Sequence, residues 1–102
     1  MIIQGTTPTH TFTLPFDISN VKDVMITYRQ DNGIVFIKNL KDCVLQDNQI
    51  LVDLSQQDTF ELSHKYLLTI ELKVLTANDK VLIDLFENIR VQESKNKEEF
   101  NI

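Results

Sequence analysis

The 102-residue chain has no tryptophan, one cysteine, two glycines and two prolines. Each scarcity removes a class of function. A lone cysteine, Cys43, forbids an intramolecular disulfide, so the fold must rest on packing. With only Gly5 and Gly33, no glycine-rich loop is available to cradle phosphate. No Gly-x-Ser-x-Gly elbow surrounds Ser19, Ser55, Ser63 or Ser94, which removes the strand-to-helix nucleophile of the hydrolases. Basic residues are also few: ten Lys and Arg stand against fifteen Asp and Glu, for a net charge of −5. A phosphate backbone or an anionic membrane needs clustered cations. The only arginines, Arg29 and Arg90, lie far apart in the chain, so neither nucleic acid nor membrane is expected as a partner. No apolar run approaches the roughly 20 residues of a membrane-spanning helix, and no basic, apolar leader opens the sequence. The expected compartment is the cytosol of the cell that makes the protein, or the outside reached by a route that needs no signal, such as lysis.

What is present is a period of two. Val24, Ile26 and Tyr28 alternate with other residues, as do Leu68, Ile70, Leu72 and Val74. This rhythm puts successive side chains on opposite faces of a sheet. Strands are predicted over 1–4, 9–14, 24–30, 34–39, 43–46, 49–54, 66–76 and 81–92. Asp31-Asn32-Gly33 and Asp47-Asn48 sit between apolar runs as hairpin turns, the first expected to carry positive φ at its tight positions, Gly33 included. Asp17 or Ser19 is placed to cap one helical turn before Asp23. Ser55 and Asp58 have capping-box spacing for another turn over 55–60. A phase slip between Leu85 and Ile89 predicts a bulge near Glu87-Asn88. About seven or eight short strands in a chain of this length imply an all-β, immunoglobulin-like two-layer β-sandwich, with a small closed barrel as the alternative. The antibody type is excluded, because it needs a tryptophan and a cysteine pair. Residues 1–92 are assigned to this domain and 93–102 to a charged C-terminal tail. Phe12, Ile26, Ile37, Val52, Ile70, Leu72 and Ile83 are the expected core.

No arrangement of side chains points to catalysis, a cofactor or a metal. His10 and His64 lack zinc-ligand spacing. Asp17, Asp23, Asp31, Asp42, Asp47, Asp58 and Asp79 are spread through turns and do not alternate within one calcium loop. Asp53, Glu71 and Asp84 are strand-borne but name no pair. Several strands, however, are apolar in both phases: Ile34 to Ile37, Ile50 to Val52, Leu67 to Leu68, and Val81 to Phe86. One core absorbs one phase. The other is expected to leave Ile34, Phe36, Leu51, Leu67, Leu82 and Phe86 facing outward as a protein-contact patch. The tail reads either as a frayed terminus or as an arm that orders against a neighbour, for which Phe100 and Ile102 are added as apolar anchors.

The segments MIIQGTTPTHTFTLPFD, ITYRQDNGIVFIK, LSQQDTFEL and LTIELKVLTANDKVLI occur in that order. Together they resemble small all-β proteins encoded in phages and prophages of Firmicutes. More loosely, their layout is similar to the N-terminal domain of upper-baseplate proteins. The resemblance implies a non-enzymatic virion component, assembled in the host cytoplasm, in multiple copies, against other structural proteins of the tail, neck, baseplate or capsid exterior. Two other classes stay open at this point. One is a carbohydrate- or ligand-binding module of a host-recognition apparatus, which usually needs aromatic platforms. The other is a regulatory protein that binds a host factor.

Overall fold

The computed structural model describes residues 1–102. Nine strands form three sheets. The largest is antiparallel, with strand order β4-β3-β7-β8: β3 is Val21–Gln30, β4 Gly33–Asn39, β7 Leu68–Thr76 and β8 Val81–Ile89. A three-stranded antiparallel sheet, β2-β6-β5, lies over it, with β2 at Thr9–Thr13, β5 at Cys43–Gln46 and β6 at Gln49–Asp53. The short strands β1 (Ile2–Ile3) and β9 (Val91–Gln92) pair in parallel and tie the two ends of the chain together. One helix, α1 (Gln56–Phe60), links β6 to the loop before β7.

The alternation read from the sequence sets the core. Val24, Ile26 and Tyr28 of β3 and Leu68, Ile70, Leu72 and Val74 of β7 point to one side. Phe12, Leu14, Ile50, Val52 and Leu54 meet them from the second sheet, and Leu62 closes the end beside α1. The shortest dimension is 17 Å across Cα positions, which fits two sheets about 10 Å apart.

Turn chemistry follows the side chains. Asp31 and Asn32 have φ of 49° and 62°, and Gln30 pairs with Gly33, so the tight turn is Asp31-Asn32. The positive φ expected at Gly33 is absent: it is the first residue of β4, and a Cβ there would meet the Gln30 carbonyl oxygen at an ordinary 3.6 Å. Asp and Asn tolerate the left-handed region because their short polar side chains bond locally, so glycine was not required. Gly5 is the glycine that is (φ +82°); a Cβ there would stand 2.7 Å from the Phe60 ring. The capping box forms as predicted: Ser55 Oγ accepts the Asp58 N–H at 3.0 Å, and Asp58 Oδ2 accepts the Ser55 N–H at 2.9 Å. Asp17 caps a 3-10 turn over Ile18–Asn20 by accepting the Ser19 N–H. The bulge also stands where the phase slipped: Ile70 pairs with Phe86 and Leu68 with Ile89, which leaves Glu87-Asn88 as the excess, with Asn88 at φ 60°.

Candidate functional surface

The outer face of the four-stranded sheet is built by register. Met25 lies opposite Lys73 and Asn39, Lys73 opposite Ile83, Leu75 opposite Val81, Glu71 opposite Leu85, and Ile37 opposite Thr27. On β8 this face reads Val81, Ile83 and Leu85, which are 61%, 53% and 49% exposed. Met25 and Ile37 are also exposed, and Leu75 is half-exposed between Asp23 and Val81. Met25, Leu75 and Val81 line a shallow apolar hollow with the edges of Asp23 and Lys73. The surface is therefore an apolar column along an edge strand, extended inward by Leu75 and Met25, with Lys73 and Glu71 set within it.

This placement corrects the expected phase of two strands. Ile37 and Ile83 are not core residues; both face solvent. Phe36 and Leu82, expected outside, pack against the core. The reason is cross-strand register. Tyr28 is locked inward with Val24 and Ile26, and Phe36 lies opposite it, their rings stacked at 4.5 Å. Leu82 lies opposite the buried Val74, and Asp84 opposite the buried Leu72. Asp84 thus belongs to the core-side phase of β8. It stays wet because the smaller sheet leaves this edge strand uncovered. Phe86 shares that phase; its ring meets Phe12 at 5.3 Å, yet the residue remains partly exposed. Ile34 and Leu67 are exposed, beside the Asp31-Asn32 turn and in the loop before β7. Leu51 is half-buried on the outside of the three-stranded sheet, opposite Thr11 and Val44. The eight expected contact residues are therefore spread over different faces, and the contiguous apolar face is made mainly by residues outside that set.

The titratable groups are held in structural roles. Tyr28 is fully buried, and its hydroxyl lies 2.7 Å from His10 Nδ1. Burial drives the phenol pKa far upward, so the hydroxyl stays protonated where it is hydrogen-bonded to the His10 ring. Burial, then the positive N-terminus, lowers the His10 pKa below its usual 6.5. Lys38 bonds Asp58 at 2.9 Å and lies over the Phe36 ring. Burial works against charge on Asp58, but bonds from Lys38 and Ser55 outweigh it and hold the carboxyl below its ordinary value. Burial, then the neighbouring Asp42, raises the Cys43 thiol, which donates to the Asn39 carbonyl. A raised thiol pKa lowers the thiolate fraction that reacts. Asp53, Glu71 and Asp84 stand on different sheets or faces. No helix is long and apolar enough to cross a membrane.

Three glutamines are organised in a way the sequence did not signal. Gln30 accepts the Ser63 N–H and donates to the Ser63 and Tyr66 carbonyls, at 2.8 to 3.0 Å. Gln4 donates to the Leu62 carbonyl at 2.7 Å and accepts from Ser94 N–H and Lys97 Nζ. Gln56 donates to the Phe100 carbonyl at 2.9 Å and accepts the Phe100 N–H at 2.8 Å. The tail is thereby laid against its own domain, although Phe100 and Ile102 remain 83% and 94% exposed.

Comparison of the chain with protein-family models, curated proteins and solved structures returned no match.

Proposed function

We propose that this chain is a non-enzymatic, immunoglobulin-like adaptor that docks on other proteins of a bacteriophage particle through the outer face of its four-stranded sheet. The strand order supports the immunoglobulin-like part: β2-β6-β5 over β4-β3-β7-β8 follows the B-E-D and C′-C-F-G arrangement of that Greek key. The carrying observation for docking is the exposed apolar column Val81, Ile83 and Leu85, extended inward by Leu75 and Met25. Soluble monomers seldom leave such a face open without a partner. The phage part rests on the resemblance of the four sequence segments, and with it come multiple copies and assembly in the host cytoplasm. A sugar-binding module is less well supported, since no aromatic stands on this face and the exposed Tyr66 lies on a loop.

The test is the double variant Ile83→Lys/Leu85→Lys, assayed by mass spectrometry of purified particles and by thermal melting. Both side chains face solvent, so stability should move by no more than about 0.5 kcal/mol, while incorporation into particles is lost. Normal incorporation of a folded double variant would overturn the docking face. Its absence from particles even as wild type would overturn the virion role.

A further inference from the structure

We infer that the groove between β1 and α1 is a binding site for an extended polypeptide arm, bordered here by the chain's own tail and able to take the same segment of a second copy. Ile3, Gly5, Thr6 and Phe60 form its body side, and the tail faces them through Ser94, Asn96 and Phe100 across about 390 Å³ of open space. Its recognition groups are the buried side chains of Gln4 and Gln56. Gln56 uses both ends of its amide on one residue: Nε2 donates to the Phe100 carbonyl and Oε1 accepts the Phe100 N–H. That is how a neighbouring β-strand would satisfy the same backbone, and it reads main chain without regard to side chain. Gln4 meets the tail with its Oε1 alone, which accepts the Ser94 N–H and the Lys97 ammonium, and that ammonium also lies over the Phe60 ring at 5.9 Å.

The receiving groups are rigid. Gln4 is fixed by the Leu62 carbonyl. Thr59, fully buried, ties α1 to the first turn by donating to the Thr6 carbonyl and accepting the Gly5 N–H. The bound segment is the opposite: every residue from Lys95 to Ile102 is exposed. It is held by polar contacts and buries no apolar anchor in its own domain. A segment gripped in this manner leaves and rebinds readily, and when copies are crowded its place is filled equally well from a neighbour, since an exchanged arm re-forms identical contacts. Phe100 and Ile102 then project from the groove toward that neighbour. This site shares no residue with the outer sheet face and stands or falls separately from docking there.

The experiment uses the full chain, labelled with nitrogen-15, and a synthetic unlabelled peptide of residues 93–102. Amide relaxation of Lys95 to Ile102 and the side-chain amide signals of Gln4 and Gln56 are followed by NMR. The tethered arm should be ordered without peptide. Added peptide should release it saturably, leaving the Gln56 amide signal in its bound position. A peptide N-methylated at Phe100 cannot donate to Gln56 Oε1 and should compete at least about tenfold less well, equivalent to about 1.4 kcal/mol. An arm that is mobile from the start, an arm that no peptide displaces at millimolar concentration, or equal displacement by both peptides would each overturn the site. Unaltered displacement in the Ile83→Lys/Leu85→Lys chain would show that the two surfaces are independent.

Discussion

At the residue scale the two glycines and the half-buried His10 carry the sharpest expectations. Gly5 stands at φ +82° with Phe60 2.7 Å from where a Cβ would be. Gly5→Ala adds both backbone strain and a clash, and should destabilise the domain by about 2 kcal/mol in chemical denaturation. Gly33→Val should cost far less, because Gly33 lies outside the left-handed region and has room for a Cβ. Phe36→Ser should destabilise strongly, by about 3 kcal/mol, because its ring is stacked on Tyr28 inside the sandwich. His10 sets a pH response. Its folded-state pKa lies below 6.5 because of burial and the nearby N-terminal charge, so between that value and 6.5 the unfolded chain holds more protons. Stability is then full above about pH 6.5 and is lost as the pH falls through this window. Denaturation midpoints measured from pH 8 to 5 should show the fall, and His10→Gln should flatten it. Asp58, whose pKa is also depressed in the folded chain, adds a second loss only in stronger acid, below its unfolded value. The alternation of the strand residues was enough to place His10 with Phe12 and Leu14. The Tyr28 hydroxyl that it satisfies was not legible, because the pairing crosses between two sheets.

At the element scale most strands, both hairpins, the capping box and the Glu87-Asn88 bulge were readable, since each is set by local alternation or turn chemistry. The single strand expected over 81–92 instead breaks at Arg90, and Val91–Gln92 pairs in parallel with β1, a long-range pairing that alternation does not encode. The orientation of β4 and β8 was not readable either. Both are apolar in both phases, so hydrophobicity cannot choose a face, and the choice falls to register with Tyr28, Leu72 and Val74. An aspartate in the core-side phase also misleads the eye; Asp84 is tolerated only because β8 overhangs the smaller sheet. Its position has a consequence for the free edge. The Asp84 carboxylate accepts the Leu85 N–H at 3.0 Å, placing a charge and a competing acceptor on an edge strand that is otherwise apolar. Charged residues on the inward phase of an edge discourage edge-to-edge pairing. Asp84→Val should therefore leave the melting temperature nearly unchanged and raise the rate of aggregation, followed by light scattering at a fixed concentration. The Gln30 clamp is the other element-scale device. Gln30→Leu removes the partners of Ser63 and Tyr66 and should cost about 2 kcal/mol, with amide exchange faster across residues 63–67 before the sheets open.

At the scale of the whole molecule, the slab of 46 × 31 × 17 Å has a radius of gyration of 14.4 Å, against about 13 Å for a compact domain of this length. A thin slab has only one layer of side chains between its sheets, so each core residue touches both sheets and little stands behind it. The same thinness leaves the outer face of β4-β3-β7-β8 without cover. Marginal stability and a free apolar face thus have one geometric origin. Ile70 tests the first half. It is buried on the central strand β7, between Tyr28 on one side and Phe86 on the other. Truncation to alanine removes contact with both sheets and should cost about 2–5 kcal/mol, a large share of the ~5–15 kcal/mol a domain of this kind possesses. Because no second core exists to hold part of the structure, far-ultraviolet circular dichroism and tyrosine fluorescence should report a single coincident transition for Ile70→Ala, shifted to lower denaturant with an unchanged slope. Separate transitions for the two probes would mean that the sheets unfold independently, and that the overhanging edge, not the shared core, governs the stability of this chain.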